Sequence, residues 1–260
     1  MTMNRELFKL PFTLDEVPDW ICPSCEKGIL RVKRESFLKE ESKESRENSN
    51  DPDFGLISYE VHYVYICLLI CSNDRCREVI TNTGIGCIGI GSTWIDEEGE
   101  YYEDESDFFR PKYFQPPLKL IKIPADCPKT VQISLHESFE LFFSSPSSAA
   151  NRVRISLENL LTELKVERFS TKKEGGRKLL SLHERIELLP EQYTHFKDVI
   201  FAIKWLGNAG SHSNDEISSD DVMDAYDLIE HVLEEIYEQK GKRERLQLIA
   251  RKVNEKKGPA

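Results

Sequence analysis

The sequence predicts an α+β protein with a β domain over residues 1–130 and a helical bundle over residues 131–260. All seven cysteines lie before residue 130, together with short segments rich in Val, Ile and Tyr. Five prolines between Pro111 and Pro128 break any helix there, so we place the domain boundary near residue 130. Beyond it, apolar residues recur every three or four positions, as on one face of a helix. A chain of 260 residues can bury two cores of this kind.

The elements of the β domain follow from alternation and charge. Residues 39–55 are nearly all polar or charged, which predicts a mobile loop. Residues 57–65 alternate apolar and polar side chains, the period of a half-buried strand. Residues 79–95 predict a further strand or a pair of strands, interrupted by glycines. Residues 96–107 contain eight carboxylates, which indicates an exposed, self-repelling loop or an acidic docking surface that mimics nucleic acid.

Four apolar stripes predict the bundle. They cover residues 153–164, 179–189, 196–206 and 222–237, and a shorter helix at residues 135–143 precedes them. Short connections between such stripes are typical of a compact four-helix bundle. Gly207 is interpreted as the stop of the third helix, and Ser218 or Ser219 as the start of the fourth.

The charge balance limits the possible partners. The chain has 35 Lys and Arg against 46 Asp and Glu, so no general attraction to nucleic acid is expected. A basic tail over residues 238–257 could still contact phosphates or an acidic partner, or could be a solvated helix extension. The start of the chain is not of the signal-peptide type, and its longest apolar run, Val64–Cys71, is too short for a membrane helix. We therefore expect a cytoplasmic protein without membrane contact.

Cysteine spacing gives the strongest chemical signal. The pairs are Cys22 and Cys25 in CPSC, and Cys71 and Cys76 in CSNDRC. Two short-spaced pairs far apart are how a zinc ribbon supplies four thiolates from two turns, so we predict one Zn²⁺ at these residues. Cys67 is the weaker candidate, because the apolar residues between it and Cys71 favour a strand over a turn. With four protein ligands, the zinc would be structural.

The helical half resembles a known family in the runs SSAANRVRISLENLL, LSLHERIELL and IKWLGNAGSH. These runs resemble DUF4145, a family of domains of unknown function that often follow a CxxC zinc-binding region. This chain has such a CxxC near its start, so the resemblance spans nearly the whole chain. That family is similar to the HEPN superfamily, which includes metal-independent RNases of antiviral and toxin systems. In HEPN RNases an Arg and a polar residue precede a His. Asn208 and His212 match the last two, whereas Gly207 stands at the Arg position. Arg154 and Glu158 match the family's Arg and Glu on the first bundle helix.

Two functions remain open from the sequence. The first is an endoribonuclease in which His212 acts as acid or base, Asn208 orients the phosphate, and Arg154 or Lys204 supplies the cation. The second is a non-catalytic adaptor or recognition subunit of a defence or restriction complex, in which the Asn208 turn is a helix cap or a ligand site without chemistry. The resemblance implies self-association through the helical domain, with RNA or proteins of a defence complex as further partners.

Overall fold

The computed structural model describes residues 4–49, 61–95, 100–171, 175–209 and 217–256. Two compact units divide the chain, one over Asn4–Lys119 and one that begins at Leu120. The division lies upstream of the boundary predicted at residue 130. The reason is that the segment before the first long helix already bonds to the helical unit: the backbone N–H of Lys122 donates to the Glu230 carboxylate at 2.7 Å.

An antiparallel sheet forms the N-terminal unit, in the order β1-β3-β4-β5, with β2 also paired to β3. Its strands are β1 Leu30–Val32, β2 Leu38–Glu41, β3 His62–Cys71, β4 Val79–Ile95 and β5 Tyr101–Gln115, and short helices α1 Glu6–Lys9 and α2 Lys43–Ser49 accompany them. On β3, Tyr65, Cys67, Leu69 and Cys71 alternate with exposed or half-buried residues and form the core face. Aromatic rings complete this core; they are Phe12, Trp20, Phe37, Tyr65, Phe109 and Phe114.

Two segments predicted as loops take regular structure where the structure describes them. Within the predicted loop 39–55, residues 39–41 lie in β2 and residues 43–49 form α2, while residues 50–55 are outside the described ranges. Of the predicted acidic loop 96–107, residues 101–107 lie in β5, and residues 96–99 are outside those ranges. Both loop predictions rested on the polar side chains of these segments. They were wrong for β2 and β5 because a neighbouring strand provides the backbone hydrogen bonds there, whatever the side chains.

Residues 79–95 form one long strand, one of the two alternatives predicted. Its register with β5 shifts between Thr83 and Gly84, opposite Pro111. A Cβ added at Gly84 would lie 2.1 Å from the carbonyl oxygen of Arg110, so only glycine allows this close approach. Pro111 fits because β5 lies at an edge of the sheet, where a missing N–H costs little.

Helices dominate the C-terminal unit, which confirms the predicted α+β class. They are α3 Lys129–Phe142, α4 Pro146–Glu163, α5 Leu182–Glu187, α6 Lys197–Ala209, α7 Ser219–Leu233 and α8 Gln239–Lys256; a small hairpin joins β6 Phe169–Thr171 to β7 Arg177–Leu179. A 3-10 turn, Glu191–Phe196, precedes α6, and a π-helical turn, Glu234–Glu238, joins α7 to α8. Among the described residues, no helix combines the length and apolar character that crossing a membrane requires.

One of the long helices of the helical unit is not the one predicted. The stripe at residues 179–189 yields only the six-residue α5, with Leu179 in β7. The helix predicted at residues 135–143 is instead the 14-residue α3, which packs along α4. In the bundle core, the Ser138 hydroxyl lies 2.8 Å from the Ala149 carbonyl oxygen and 2.7 Å from the Tyr226 hydroxyl, which links α3, α4 and α7.

Helix ends follow the capping residues in two cases and not in a third. Ser218 caps α7 and receives the Asp221 N–H, while the Asp221 carboxylate accepts the Ser218 N–H at 2.8 Å. Ser181 and Glu184 form the same box at α5. Gly207, interpreted as a stop, lies inside α6, which continues to Ala209. Its role is steric, since α4 approaches α6 closely at this position.

Candidate functional site

The four predicted metal ligands occupy two similar turns. Cys22 and Cys25 precede β1, whereas Cys71 ends β3 and Cys76 lies in the turn before β4. The residue after the second cysteine of each pair has a left-handed backbone, with φ of 54° at Glu26 and 53° at Arg77. A backbone hydrogen bond between residues four positions apart closes each turn. The Glu26 N–H donates to the Cys22 carbonyl oxygen at 2.9 Å, and the Arg77 N–H donates to the Asn73 carbonyl oxygen at 3.0 Å.

Strand pairing brings the two turns together. Leu30 of β1 pairs with Cys71 of β3, so the chain that follows the first turn lies beside the start of the second. All four Sγ atoms then lie within 4.8 Å of one another. The Sγ atoms of Cys22 and Cys76 are 3.9 Å apart, and those of Cys25 and Cys71 are 3.6 Å apart.

These distances fit a tetrahedral thiolate site. A metal with bonds to sulfur of about 2.3 Å in tetrahedral geometry separates its ligand sulfurs by roughly 3.8 Å. A disulfide would need about 2.05 Å, and all four cysteines are free thiols. The donor set is therefore closed and could hold a metal ion with no position left for water.

Backbone donors surround the sulfur atoms. The Gly28 N–H points to Cys25 Sγ at 3.5 Å, and the Asn73 N–H points to Cys71 Sγ at 3.4 Å. The N–H groups of Gly28 and Lys27 lower the pKa of Cys25 to about 6, whereas burial raises the pKa of Cys71 to about 12. Four thiolates this close repel one another, so ionising all of them requires a cation in their midst.

Gly28 is a site residue that the sequence analysis missed. A Cβ at this position would lie 2.5 Å from Cys71 Sγ and 2.9 Å from Asn73 Cβ. Only glycine therefore allows the second turn to approach the first. The signal was present in the sequence, because a glycine three residues after a CxxC pair suggests close backbone packing. Cys67 is buried on the core face, 3.9 Å from Asn82 Oδ1, and is not among the four clustered sulfurs.

In the helical unit, Arg154 and Glu158 lie one turn apart on α4. The Arg154 guanidinium donates to the Glu158 carboxylate at 2.6 Å and to Asn151 Oδ1 at 3.2 Å. About a quarter of the Arg154 side chain (26 %) remains exposed. A Cβ at Gly207 of α6 would lie 2.5 Å from Arg154 Cβ, so the Arg154 stem packs against the residue before Asn208.

The other predicted residues of this site are placed differently. Asn208 is half-buried in the last turn of α6, and His212 lies outside the described residues. Lys204, the alternative cation, is buried, and its ammonium group lies 3.4 Å from the centroid of the Trp205 ring. It therefore makes a cation–π contact within its own helix.

Arg185 is a second residue that the sequence analysis missed. It is buried on α5 and reaches the C-terminal end of α4. Its guanidinium donates to the Glu158 carbonyl oxygen at 3.1 Å, to Thr162 Oγ1 at 3.0 Å and to the Val166 carbonyl oxygen at 3.4 Å. Burial lowers its pKa. It thus places a cation and its donors at the C-terminal end of α4, where the helix dipole favours positive charge.

Comparison with protein families divides the chain at the same place as the fold. A family described as a domain of unknown function, DUF8608, matches residues 10–114. Residues 136–249 match the DUF4145 family. The resemblance to DUF4145 is thus confirmed, but for the helical unit and not for nearly the whole chain. The DUF4145 match includes Arg154, Glu158 and Asn208, whereas the four cysteines lie in the DUF8608 match. No curated protein and no solved structure matches the chain.

Proposed function

We propose that the protein is a zinc-stabilised recognition subunit. In this proposal Cys22, Cys25, Cys71 and Cys76 bind one structural Zn²⁺, which holds together the edge of the sheet where the two turns meet. The observation that supports it is the mutual distance of the four sulfurs, all within 4.8 Å. Four thiolates in two short turns are the ligand set of structural zinc sites, and a closed site has no place for a reacting water.

Two features support an adaptor: the four-cysteine cluster of the described residues offers a closed ligand set, and the chain is acidic. A net charge of −11 opposes general binding to nucleic acid. Proteins are then the more suitable partners, and the resemblance to DUF4145 favours a defence or restriction complex as the setting. We further propose that the helical unit mediates self-association, because helical bundles of the resembled superfamily commonly pair.

Metal analysis of pure protein tests the zinc proposal. We expect one zinc per chain by native mass spectrometry, and loss of zinc with a lower melting temperature in Cys71→Ser, since structural zinc contributes on the order of 10 kcal/mol in isolated fingers. The control is Cys67→Ser, which removes a buried thiol outside the cluster and should retain the zinc. Absence of zinc in the wild type, or equal zinc content in both variants, contradicts the proposal. A visible absorption band from iron bound to sulfur also contradicts it.

A second candidate, a metal-independent endoribonuclease, is favoured by one contact. Arg154 packs against Gly207 and so lies close to the end of α6, where Asn208 is found. The cation missing at position 207 could come from α4 in this way. RNA carries its own nucleophile, the 2′-hydroxyl, which attacks phosphorus as the 5′-oxygen leaves. His212 would move the proton, and Arg154 would stabilise the charge on the phosphorane.

Cleavage assays test this candidate directly. If the protein is an RNase, RNA should yield ends with a 2′,3′-cyclic phosphate, DNA should stay intact, and cleavage should persist on brief exposure to a chelator. His212→Ala and Arg154→Ala should each reduce the rate by about 10² to 10⁴-fold. His183→Ala, an exposed histidine of α5 in the same unit, is the matched control and should leave the rate unchanged. Equal cleavage by wild type and His212→Ala refutes the catalytic assignment, and the recognition subunit then remains as the proposed function.

A further inference from the structure

Two elements of the chain have exposed apolar faces and opposite charge. One is the end of the hairpin formed by β4 and β5, here called the ribbon arm and defined as residues 89–93 and 101–106. The other is the C-terminal helix α8. We propose that the ribbon arm of one copy binds α8 of a second copy, and that this pairing forms the dimer. The inference rests on the self-association proposed above. It differs from a pairing of two bundles in that the helical unit contributes α8 and the N-terminal unit contributes the ribbon arm.

The ribbon arm extends beyond the third strand of its sheet. Pairing of β3 with β4 ends at His62 and Cys87, so within the described ranges the arm has two strands only. An isolated two-stranded ribbon is marginally stable in water. Cross-strand pairing puts Ile90 on the same face as Glu105, and alternation along β5 adds Glu103 and Tyr101 to that face.

That face is apolar in part and strongly acidic. Ile90 is 42 % exposed and Tyr101 is 59 % exposed, although Phe109, farther along the same side of β5, is buried in the core. The sequence has no Lys or Arg between residues 89 and 106. Among the residues that the structure describes, the core face of the sheet therefore continues along the arm as an exposed surface with a carboxylate border.

Helix α8 has the complementary properties. Leu246, Ile249 and Val253 are spaced by three and four residues on one face and are 56 %, 47 % and 40 % exposed. Described charged side chains of this helix are all basic; they are Lys242, Arg245, Arg251 and Lys252. Helices in proteins gain most of their stability from packing an apolar face against other elements. The apolar face of the 18-residue α8 is about half exposed, so it is available to a partner.

Size and charge select this pairing over the alternatives. The apolar stripe of α8 spans about 10 Å, and the arm spans about 13 Å from Tyr101 to Glu105. Pairing α8 with α8 would bring basic side chains together, and pairing arm with arm would bring carboxylates together, so both are opposed by like charge. A two-fold dimer forms the contact between arm and helix twice, which doubles its contribution.

Charge exchange between two variants tests the proposal. The arm variant is Glu103→Lys/Glu105→Lys, and the helix variant is Arg245→Glu/Lys252→Glu, with Arg245 and Lys252 beside the apolar stripe. Each variant alone should dimerise about tenfold or more weakly in sedimentation velocity at tens of micromolar. Mixing the two should restore a dimer, because the arm of each variant then meets a helix of opposite charge. Raising the salt concentration from 0.1 M to 1 M should weaken the wild-type dimer, because the Debye length falls from about 10 Å to about 3 Å.

Single-substitution controls reverse one charge each on the opposite faces, and are compared with the corresponding single variants Glu103→Lys and Lys252→Glu. Asp104→Lys points to the other side of the arm, and Arg251→Glu lies across the helix from the stripe, so both should dimerise like the wild type. Ile249→Gln, which changes no charge, should weaken the dimer. Zinc content and circular dichroism are measured on every variant to confirm its fold.

The outcomes separate this inference from the proposals on which it rests. A dimer that withstands all charge changes overturns the arm and helix pairing while self-association stands. A wild type that is monomeric in sedimentation overturns both, independently of its zinc content. A wild-type monomer that becomes larger only with added RNA overturns the pairing in favour of α8 as a phosphate-binding surface.

Discussion

Replacing Gly207 by alanine tests the close contact between α4 and α6. The new Cβ would lie 2.5 Å from Arg154 Cβ and 3.1 Å from the Ala150 carbonyl oxygen. Carbon atoms in ordinary contact are about 3.5–4.0 Å apart, so α6 must move away from α4 by roughly 1 Å. Overpacking of this kind costs about 1–3 kcal/mol, against a gain of about 1 kcal/mol from the higher helix propensity of alanine. Because Arg154 Cβ is fixed to the backbone, strain should prevail, with a net loss of up to about 2 kcal/mol.

Urea unfolding followed by circular dichroism measures this loss as a shift in midpoint at constant slope. A double-mutant cycle isolates the contact, because Arg154→Gly removes the Cβ that the alanine meets. In that background Gly207→Ala should be neutral or stabilising. A gain of about 1 kcal/mol from Gly207→Ala in the otherwise unchanged protein would refute the reasoning, since propensity alone would then govern the position.

Three further predictions concern the cysteine cluster, a buried cation and a capping carboxylate. Gly28→Ala should weaken zinc binding in competition with a chelator, because its Cβ would lie 2.5 Å from Cys71 Sγ. Arg185→Met should lower the free energy of unfolding by about 1–3 kcal/mol in urea, since it removes the donor to the Val166 carbonyl oxygen. The Lys178 ammonium and Ser181 hold the pKa of Glu184 at about 2, so its contribution to stability is complete above the unfolded pKa of about 4.3 and is lost as pH falls to about 2. Melting temperatures of Glu184→Gln should therefore depend less on pH in that range.

The sequence predicted the cysteine cluster as far as local spacing allows. Two residues between Cys22 and Cys25, and a polar tripeptide after Cys71, each indicate a tight turn. Whether those turns meet depends on β1 pairing with β3 in one register, a contact between residues about forty positions apart. Spacing carries no information on that register. The need for glycine at position 28 follows from the same contact and was therefore not anticipated.

Polar strands and short helices show where pattern reasoning fails. Residues 101–107 contain few residues that favour strands, yet β4 offers them a full set of backbone partners. Likewise, the stripe at residues 179–189 has helical spacing, but only residues 182–187 form α5, because Leu179 pairs with Phe169 in the small hairpin. In both cases a tertiary contact outweighs a local preference of a few tenths of a kcal/mol per residue.

Position 207 explains how the helical site departs from the pattern that it resembles. The resembled RNases carry an Arg before the polar residue, and an arginine at position 207 would place its Cβ 2.5 Å from Arg154 Cβ. Packing of α4 against α6 therefore disfavours a side chain at position 207 and at the same time places the stem of Arg154 beside it. If RNA cleavage uses Arg154 as its cation, Gly207→Arg should fail to rescue Arg154→Ala, because the new Cβ would still crowd the Cβ of residue 154 on α4.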